Sequence, residues 1–251
     1  MIAYLIVCPL VFLAGLVDSI AGGGGLVSLP GYLIAGVPPH MALGTNKMSS
    51  AVGTVVSTVR LASHGYLKGK MMLAGSSALL ALAGSSMGAQ LALRLPDSVI
   101  RHMMVVILPF VAFYVLRNKR MDGEENRKEV SVRTMYIAAL AAAFFVGAYD
   151  GFYGPGTGTF LILILTGVAG MDIRTAAAQT KVVNLASNVA ALVTFLATGN
   201  VNYRLGLAAG ACSIAGHYIG SGLVVHDGQR IVRPVVLLVL VTLFIRVLMG
   251  Y

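Results

Sequence analysis

Charge is scarce in this sequence. Asp, Glu, Lys and Arg make up 11% of its 251 residues, against about 25% in an average soluble domain. With 57% hydrophobic residues and a mean hydropathy of +0.86, that shortage excludes a soluble globular protein. Cysteine is scarce too: Cys8 and Cys212 both lie in apolar stretches, which excludes a disulfide framework and leaves them as small buried hydrophobes. The first 17 residues have a signal peptide's greasy core but neither a basic flank nor an A-x-A site, so they read as a retained membrane segment. The net charge is +9, yet the positives are spread over short loops, which excludes a nucleic-acid-binding face.

What is present is helical. Apolar stretches near 2–17, 71–93, 99–116, 134–149, 205–225 and 235–249 are each long enough for a helix and lack the dyad alternation of a membrane barrel. At about 20 residues per crossing, the chain holds about eight to ten hydrophobic segments. The expected fold is an all-α integral membrane protein, a polytopic helical bundle with no separate soluble domain.

The chain is also written twice. Shifted by 132, Gly15, Asp18, Gly22 and Gly24 fall on Gly147, Asp150, Gly154 and Gly156. With a two-residue insertion, Lys47 and Gly65 fall on Lys181 and Gly199. The offset then returns to 132, where Ala83, Gly84, Gly88, Leu91 and Arg101 meet Ala215, Gly216, Gly220, Leu223 and Arg233. Most matches are glycine or charge, the rare types here; chance likeness between greasy segments would match leucine and alanine. The sequence thus divides into a first membrane repeat, 1–116, a linker, 117–133, and a second repeat, 134–251. The linker, "RNKRMDGEENRKEVSVR", carries six Lys/Arg and four acids and reads as cytoplasmic.

Each repeat offers a long segment, a glycine break, a short segment (26–37; 158–169) and three full-length ones. As one helix, residues 2–37 would run about 54 Å, too long for a single crossing of about 30 Å. The first pair therefore crosses twice or folds back, each half makes an odd number of net crossings, and the halves are expected to be inverted. With the linker inside, inversion places twelve Lys/Arg inside, four outside and Lys47 and Lys181 within the membrane, accounting for all 18. A parallel arrangement gives eleven inside and five outside, so the positive-inside rule favours inversion slightly.

The breaks are "DSIAGGGGLVSLP" at 18–30 and "DGFYGPGTGTFLI" at 150–162. In hydrocarbon an unpaired backbone group costs several kcal/mol, so irregular backbone survives only inside protein or along a watery cavity. Glycine lets the chain turn and approach its neighbours closely. Short segments starting at matching breaks in two halves point to a transporter's binding site, where helix N-termini suit an anion. Gly22, Gly23, Gly24 and Gly25, with Gly154, Gly156 and Gly158, are the candidates. Gly84, Gly88, Gly216 and Gly220 read instead as packing glycines.

Two polar stripes accompany the breaks. Asn46, Lys47, Ser50, Gly53, Thr54 and Ser57 lie along neighbouring faces of one helix; Gln179, Thr180, Lys181, Asn184, Ser187 and Asn188 repeat the pattern. A lysine at mid-membrane costs about 2.5–3.5 kcal/mol and usually marks a pathway. Asn46, Lys47, Ser50, Thr180, Lys181 and Asn184 are the candidate substrate residues, the hydroxyls and amides suiting a small polyatomic anion. Alternatively the lysines snorkel to the interface, or pair with Asp18 and Asp150 as structural glue. Those aspartates read either as proton carriers or as helix N-caps.

On "DSIAGGGG", "LGTNK" and "QTKVVN", the chain resembles the sulfite exporter TauE/SafE family of bacterial membrane transporters, over nearly its whole length. The resemblance implies export of small sulfur-containing anions such as sulfite or organosulfonates, or of related carboxylates, across the bacterial inner membrane. It also implies that Asn46 and Lys47 with Thr180 and Lys181 line a central site. The second half departs from the opening motif, and Pro155 removes one N–H donor, so the two breaks are not equivalent.

Other classes have weaker support. Ser221 and His217 share a helical face, but a Ser/His pair with no orienting partner is a weak hydrolase signal. His217, Cys212 and Asp150 could serve a cation or metal carrier, yet no H-x-x-x-H spacing occurs and two buried lysines repel a cation. An anion channel built on the same breaks is a further alternative. The expectation is a transporter rather than an enzyme, with no cofactor and no metal. Its partners are a small anionic substrate, the lipid bilayer and a coupling proton or Na+, and a homodimer is compatible with the sequence.

Overall fold

The computed structural model describes residues 1–100 and 130–227. These residues form eight helices and, among them, no strand: α1 (Ile2–Ala21), α2 (Gly25–Ile34), α3 (Pro39–Ser63), α4 (Met71–Leu93), α5 (Val132–Phe152), α6 (Thr157–Gly167), α7 (Ile173–Ala197) and α8 (Tyr203–Asp227). The chain is therefore a polytopic helical membrane protein, as its composition requires. All of stretch 99–116 beyond residue 100, all of 235–249 and most of the expected linker fall outside the described residues.

Five helices, α1, α4, α5, α7 and most of α8, are long and apolar enough to cross a membrane. The α3 helix is equally long at 25 residues, but its stripe of Asn46, Lys47, Ser49, Ser50, Thr54 and Ser57 dilutes the apolar run. Its polar face needs protein around it, and it has that: Thr45, Ser49, Thr54 and Ser57 are fully buried. The two short helices, α2 and α6, have 10 and 11 residues. At 1.5 Å per residue each reaches about 15 Å, half a bilayer.

Helix ends follow local chemistry. Pro39 opens α3, where its missing N–H costs nothing. Ser131 accepts from Thr134 N–H at 3.2 Å to cap α5, and Asp172 accepts from Thr175 N–H at 2.9 Å to cap α7. Gly22, at φ 75°, turns α1 out of its helix in the left-handed region that only glycine enters cheaply.

The largest helix interfaces join α1 to α8 and α4 to α5, each helix of a pair coming from a different half of the sequence. Glycines make both possible, and they do so in register. A Cβ on Gly84 would stand 2.3 Å from Phe144 O, and one on Gly216 would stand 2.2 Å from Phe12 O. Likewise Gly88 faces Ala148 O at 1.9 Å and Gly220 faces Leu16 O at 2.5 Å. Every member of the second contact is the first shifted by 132. If residue i touches j+132 while i+132 touches j, the relation is isologous, the signature of a two-fold axis. The halves interlock rather than sit side by side.

Candidate functional site

The glycine breaks meet at the centre of this arrangement. Gly158 N–H donates to Gly22 O at 3.1 Å, and Thr159 Oγ1 donates to Ala21 O at 2.9 Å. A Cβ on Gly22 would lie 2.4 Å from Gly158 Cα, so only glycine allows the approach. The N–H of Gly158, expected to face a ligand, is thus committed to the opposite break. Gly154 and Gly156 hold φ 98° and 83° and shape the entry to α6. Gly22, Gly23, Gly24, Gly156 and Gly158 are buried in protein, not turned to the lipid.

Two ion pairs flank the junction, and both cross between halves. Lys47 Nζ on α3 lies 2.7 Å from Asp150 Oδ2 at the end of α5. Lys181 Nζ on α7 lies 3.0 Å from Asp18 Oδ2 near the end of α1, and also donates to the Asp18 carbonyl. The lysine side chains are 3% and 1% exposed, which rules out snorkelling to an interface. They neutralise the aspartates instead. Asp18 lies in the last turn of α1 rather than ahead of it; its Oδ1 accepts from Gly24 N–H at 3.3 Å, capping α2 from the preceding helix. Asp150 reaches α6 through Thr157, whose hydroxyl donates to Oδ1 at 2.9 Å.

The third partners differ. Asp150 also accepts from Ser187 Oγ at 2.6 Å, and Lys47 donates to Asn188 Oδ1 at 3.1 Å. Asp18 has no such hydroxyl; it faces His217 Nε2 at 3.7 Å, and His217 Nδ1 lies 3.0 Å from Ser57 Oγ. Asp18 is the more open carboxylate, with 18% of its side chain exposed against 7% for Asp150.

Between the pairs lies a polar cavity of about 20 Å³, room for about one water. Of the candidate residues, Asp18, Gly22, Gly25, Asn46, Lys47, Ser50, Asp150, Gly154 and Asn184 line it, joined by Thr157 and Asn188. Gly23, Gly156, Gly158, Thr180 and Lys181 do not. A smaller adjoining cavity brings Gly24, Ser28 and Ser50 to Asp18 and His217. Asn46 Oδ1 accepts from Ser28 Oγ at 2.6 Å. Asn184 Oδ1 and Thr180 Oγ1 are buried with no hydrogen-bond partner among the described residues; such orphans cost about 1–3 kcal/mol each unless something else satisfies them.

Sequence reasoning missed Thr157, Ser187 and Asn188 as partners of the charges. It also missed that His217 belongs to the site. Ser221, its expected companion, donates to Tyr218 O at 3.3 Å instead. The residue types Ser57, His217 and Asp18 do form a chain, with Ser57 fully buried and its Oγ within reach of both His217 Nδ1 at 3.0 Å and Thr54 O at 3.1 Å. Cys8 and Cys212 are only half-buried, a departure from the expected burial. Asp150 is held by Lys47, not by His217 or Cys212 as a cation site would need.

Known proteins resemble the chain over its length. It is 36% identical over 248 residues to "Probable membrane transporter protein ORF9" of a Sinorhizobium species, covering 99% of this chain and 92% of that one. It is 34% identical to a "Probable membrane transporter protein" of Haemophilus influenzae, covering 90% and 87%, and 33% identical to YfcA of Escherichia coli, covering 90% and 82%. No solved structure matches it. The family model described as "Sulfite exporter TauE/SafE" matches residues 7–247, and with a bundle of membrane-length helices interlocked around two buried ion pairs, the chain belongs to the TauE/SafE family of membrane transporters.

Proposed function

We propose that this protein is an alternating-access carrier of small anions, of the sulfite and sulfonate type, acting as an exporter in the bacterial inner membrane. The observation that carries this is the pair of crossed Lys–Asp bridges at the junction of the breaks. A structural bridge needs one acid and one base; here two bridges related by the sequence repeat meet at one polar cavity, lined by Lys47, Asp150 and Asp18 with Lys181 held on Asp18, and internal carboxylates balance the lysine charges. The cavity holds about one water, too little for a polyatomic anion. An anion enters when the halves part, and it takes Lys47 and Lys181 from Asp150 and Asp18. Asn184 and Asn188, which line the cavity, then supply donors around its oxygens, while Thr157 and Ser187 stay on Asp150. The halves are inverted, so rocking one against the other exposes the site to each side in turn.

Two features favour sulfur oxyanions over larger acids: the small cavity and donors converging from both halves, which suit a compact head with three oxygens. The deciding test is a proteoliposome panel of sulfite, thiosulfate, taurine, sulfoacetate and simple carboxylates. Saturable, protein-dependent flux of sulfite or a sulfonate is expected. A carboxylate-only profile removes the sulfur assignment, and flux that never saturates makes the protein a channel.

A further inference from the structure

We infer that Asp18 and His217 together form a proton-binding site, so that each monovalent anion bound at Lys181 brings one proton onto this pair; the inference rests on the anion-carrier reading above. The geometry begins with the imidazole. His217 on α8 is 1% exposed, in a slot that two glycines keep clear. A Cβ on Gly53 would stand 2.5 Å from His217 Cδ2, and one on Gly15 would stand 3.1 Å from it.

Ser57 Oγ lies 3.0 Å from His217 Nδ1, and Nε2 stands 3.7 Å from Asp18 Oδ2. A neutral imidazole carries one N–H, and whichever nitrogen holds it, the other keeps a lone pair that can take a second proton. The Asp18 carboxylate beside it is held by Lys181 at 3.0 Å.

Charge balance supplies the second step. Among the described residues, every element around Asp18 can be accounted for. Lys181 faces it from α7 and His217 from α8, while Lys47 on α3 and Asp150 on α5 stand across the shared cavity. From α2 comes the Gly24 amide, and the one titratable side chain of that helix, Tyr32, is bonded to Ser49 at 2.9 Å. The α4 and α6 helices contain no titratable residue. Two lysines and two aspartates sum to zero, with His217 neutral. An added monoanion leaves the buried site one charge negative, and burying an uncompensated charge is prohibitively costly.

One proton restores the balance. As the anion takes Lys181, Asp18 loses its counter-ion, and a proton from solution binds the free nitrogen of the imidazole, giving an imidazolium whose Nε2–H faces Asp18 Oδ2. It returns to solution when the anion leaves. Asp150 is not the carrier, because its hydroxyl donors, Thr157 and Ser187, already stabilise its charge, and the position matching His217 is Ser85, which donates to Ser187 O at 2.6 Å. The two bridges look alike in sequence and differ in chemistry. Co-binding cancels the anion's charge, so flux follows the anion gradient corrected for pH.

Calorimetry tests this on the purified full-length protein in detergent. Sulfite, thiosulfate, sulfoacetate and methanesulfonate are screened first. Binding is then measured with methanesulfonate, or with whichever sulfonate binds, because a sulfonate stays ionised at neutral pH and any proton taken up belongs to the protein. Titrations in two buffers of different ionisation enthalpy give protons per anion. The expected wild-type value is about one, with affinity falling about tenfold per pH unit on the alkaline side. His217→Gln and Asp18→Asn should bring it near zero, and His40→Gln, a histidine bonded to Ala92 O far from the site, should leave it at about one. Binding with no proton uptake in the wild type overturns the inference while sparing the carrier reading, and needs no variant to fold. Uptake that persists in His217→Gln overturns it as well. Failure of all four anions to bind overturns the carrier reading, and this inference with it.

Discussion

Lys47→Gln probes what the bridge to Asp150 contributes when nothing is being transported. The change leaves the carboxylate buried, with 7% of its side chain exposed, and with two hydroxyl donors at 2.9 and 2.6 Å. Removing one partner of a buried pair costs about 3–5 kcal/mol; the surviving hydroxyls put this case near the lower bound, about 3 kcal/mol. For a chain of this size that lowers Tm by about 6–12 °C. Asp150→Asn is worse, because Lys47 then keeps only Asn188 Oδ1 at 3.1 Å, and a cost nearer 5 kcal/mol is expected. The double variant Lys47→Gln/Asp150→Asn strands neither charge and should return to within about 1 kcal/mol of the wild type. The assay is thermal unfolding of the three purified variants in one detergent. Strictly additive losses, or single variants that melt like the wild type, would refute the bridge.

Gly88→Leu should prevent assembly of α4 on α5, since even its Cβ would meet Ala148 O at 1.9 Å, whereas Gly75→Ala, with nothing within 4 Å, should raise stability by about 0.5–1 kcal/mol; monodispersity and Tm separate the two. Gly22→Ala, at φ 75° and facing Gly158 at 2.4 Å, should push the breaks apart and abolish anion uptake, measured per mole of purified protein. Inversion of the halves is read by labelling in a background without Cys8 and Cys212. A membrane-impermeant maleimide on intact cells should label Arg204→Cys and spare Lys68→Cys, and equal labelling of both would make the halves parallel.

Much of this was legible in the sequence. The α4 helix coincides with the apolar stretch at 71–93, and the breaks at 22–24 and 153–156 separate helices at the glycine runs. Gly84, Gly88, Gly216 and Gly220 pack helices because a small residue once per turn permits close approach. The crossing of the bridges was not legible: Asp18 and Lys181 are 163 positions apart, and the repeat cannot say which aspartate meets which lysine. Gly158 N–H was expected to await a ligand, yet backbone without Cβ atoms on either side closes on itself as readily as on a substrate. His217 drew little weight as a lone histidine in an apolar helix. The signal that could have found it is asymmetry, for the repeat places Ser85 where the second half has His217, a titratable residue added to one side of an otherwise matched pair.

Zero-trans flux of labelled sulfite through proteoliposomes, comparing the wild type with Lys47→Gln/Asp150→Asn, bears most directly on the exchange of carboxylate for substrate. The double variant keeps the fold and the overall charge but has no ammonium at position 47. A lost charge-assisted hydrogen bond is worth about 1.5–3 kcal/mol, so its apparent KM should rise about ten- to hundredfold while its Tm stays near the wild-type value. Sulfite flux at the wild-type KM in this variant would contradict the account, since Lys47 would then be holding the helices together and touching no anion.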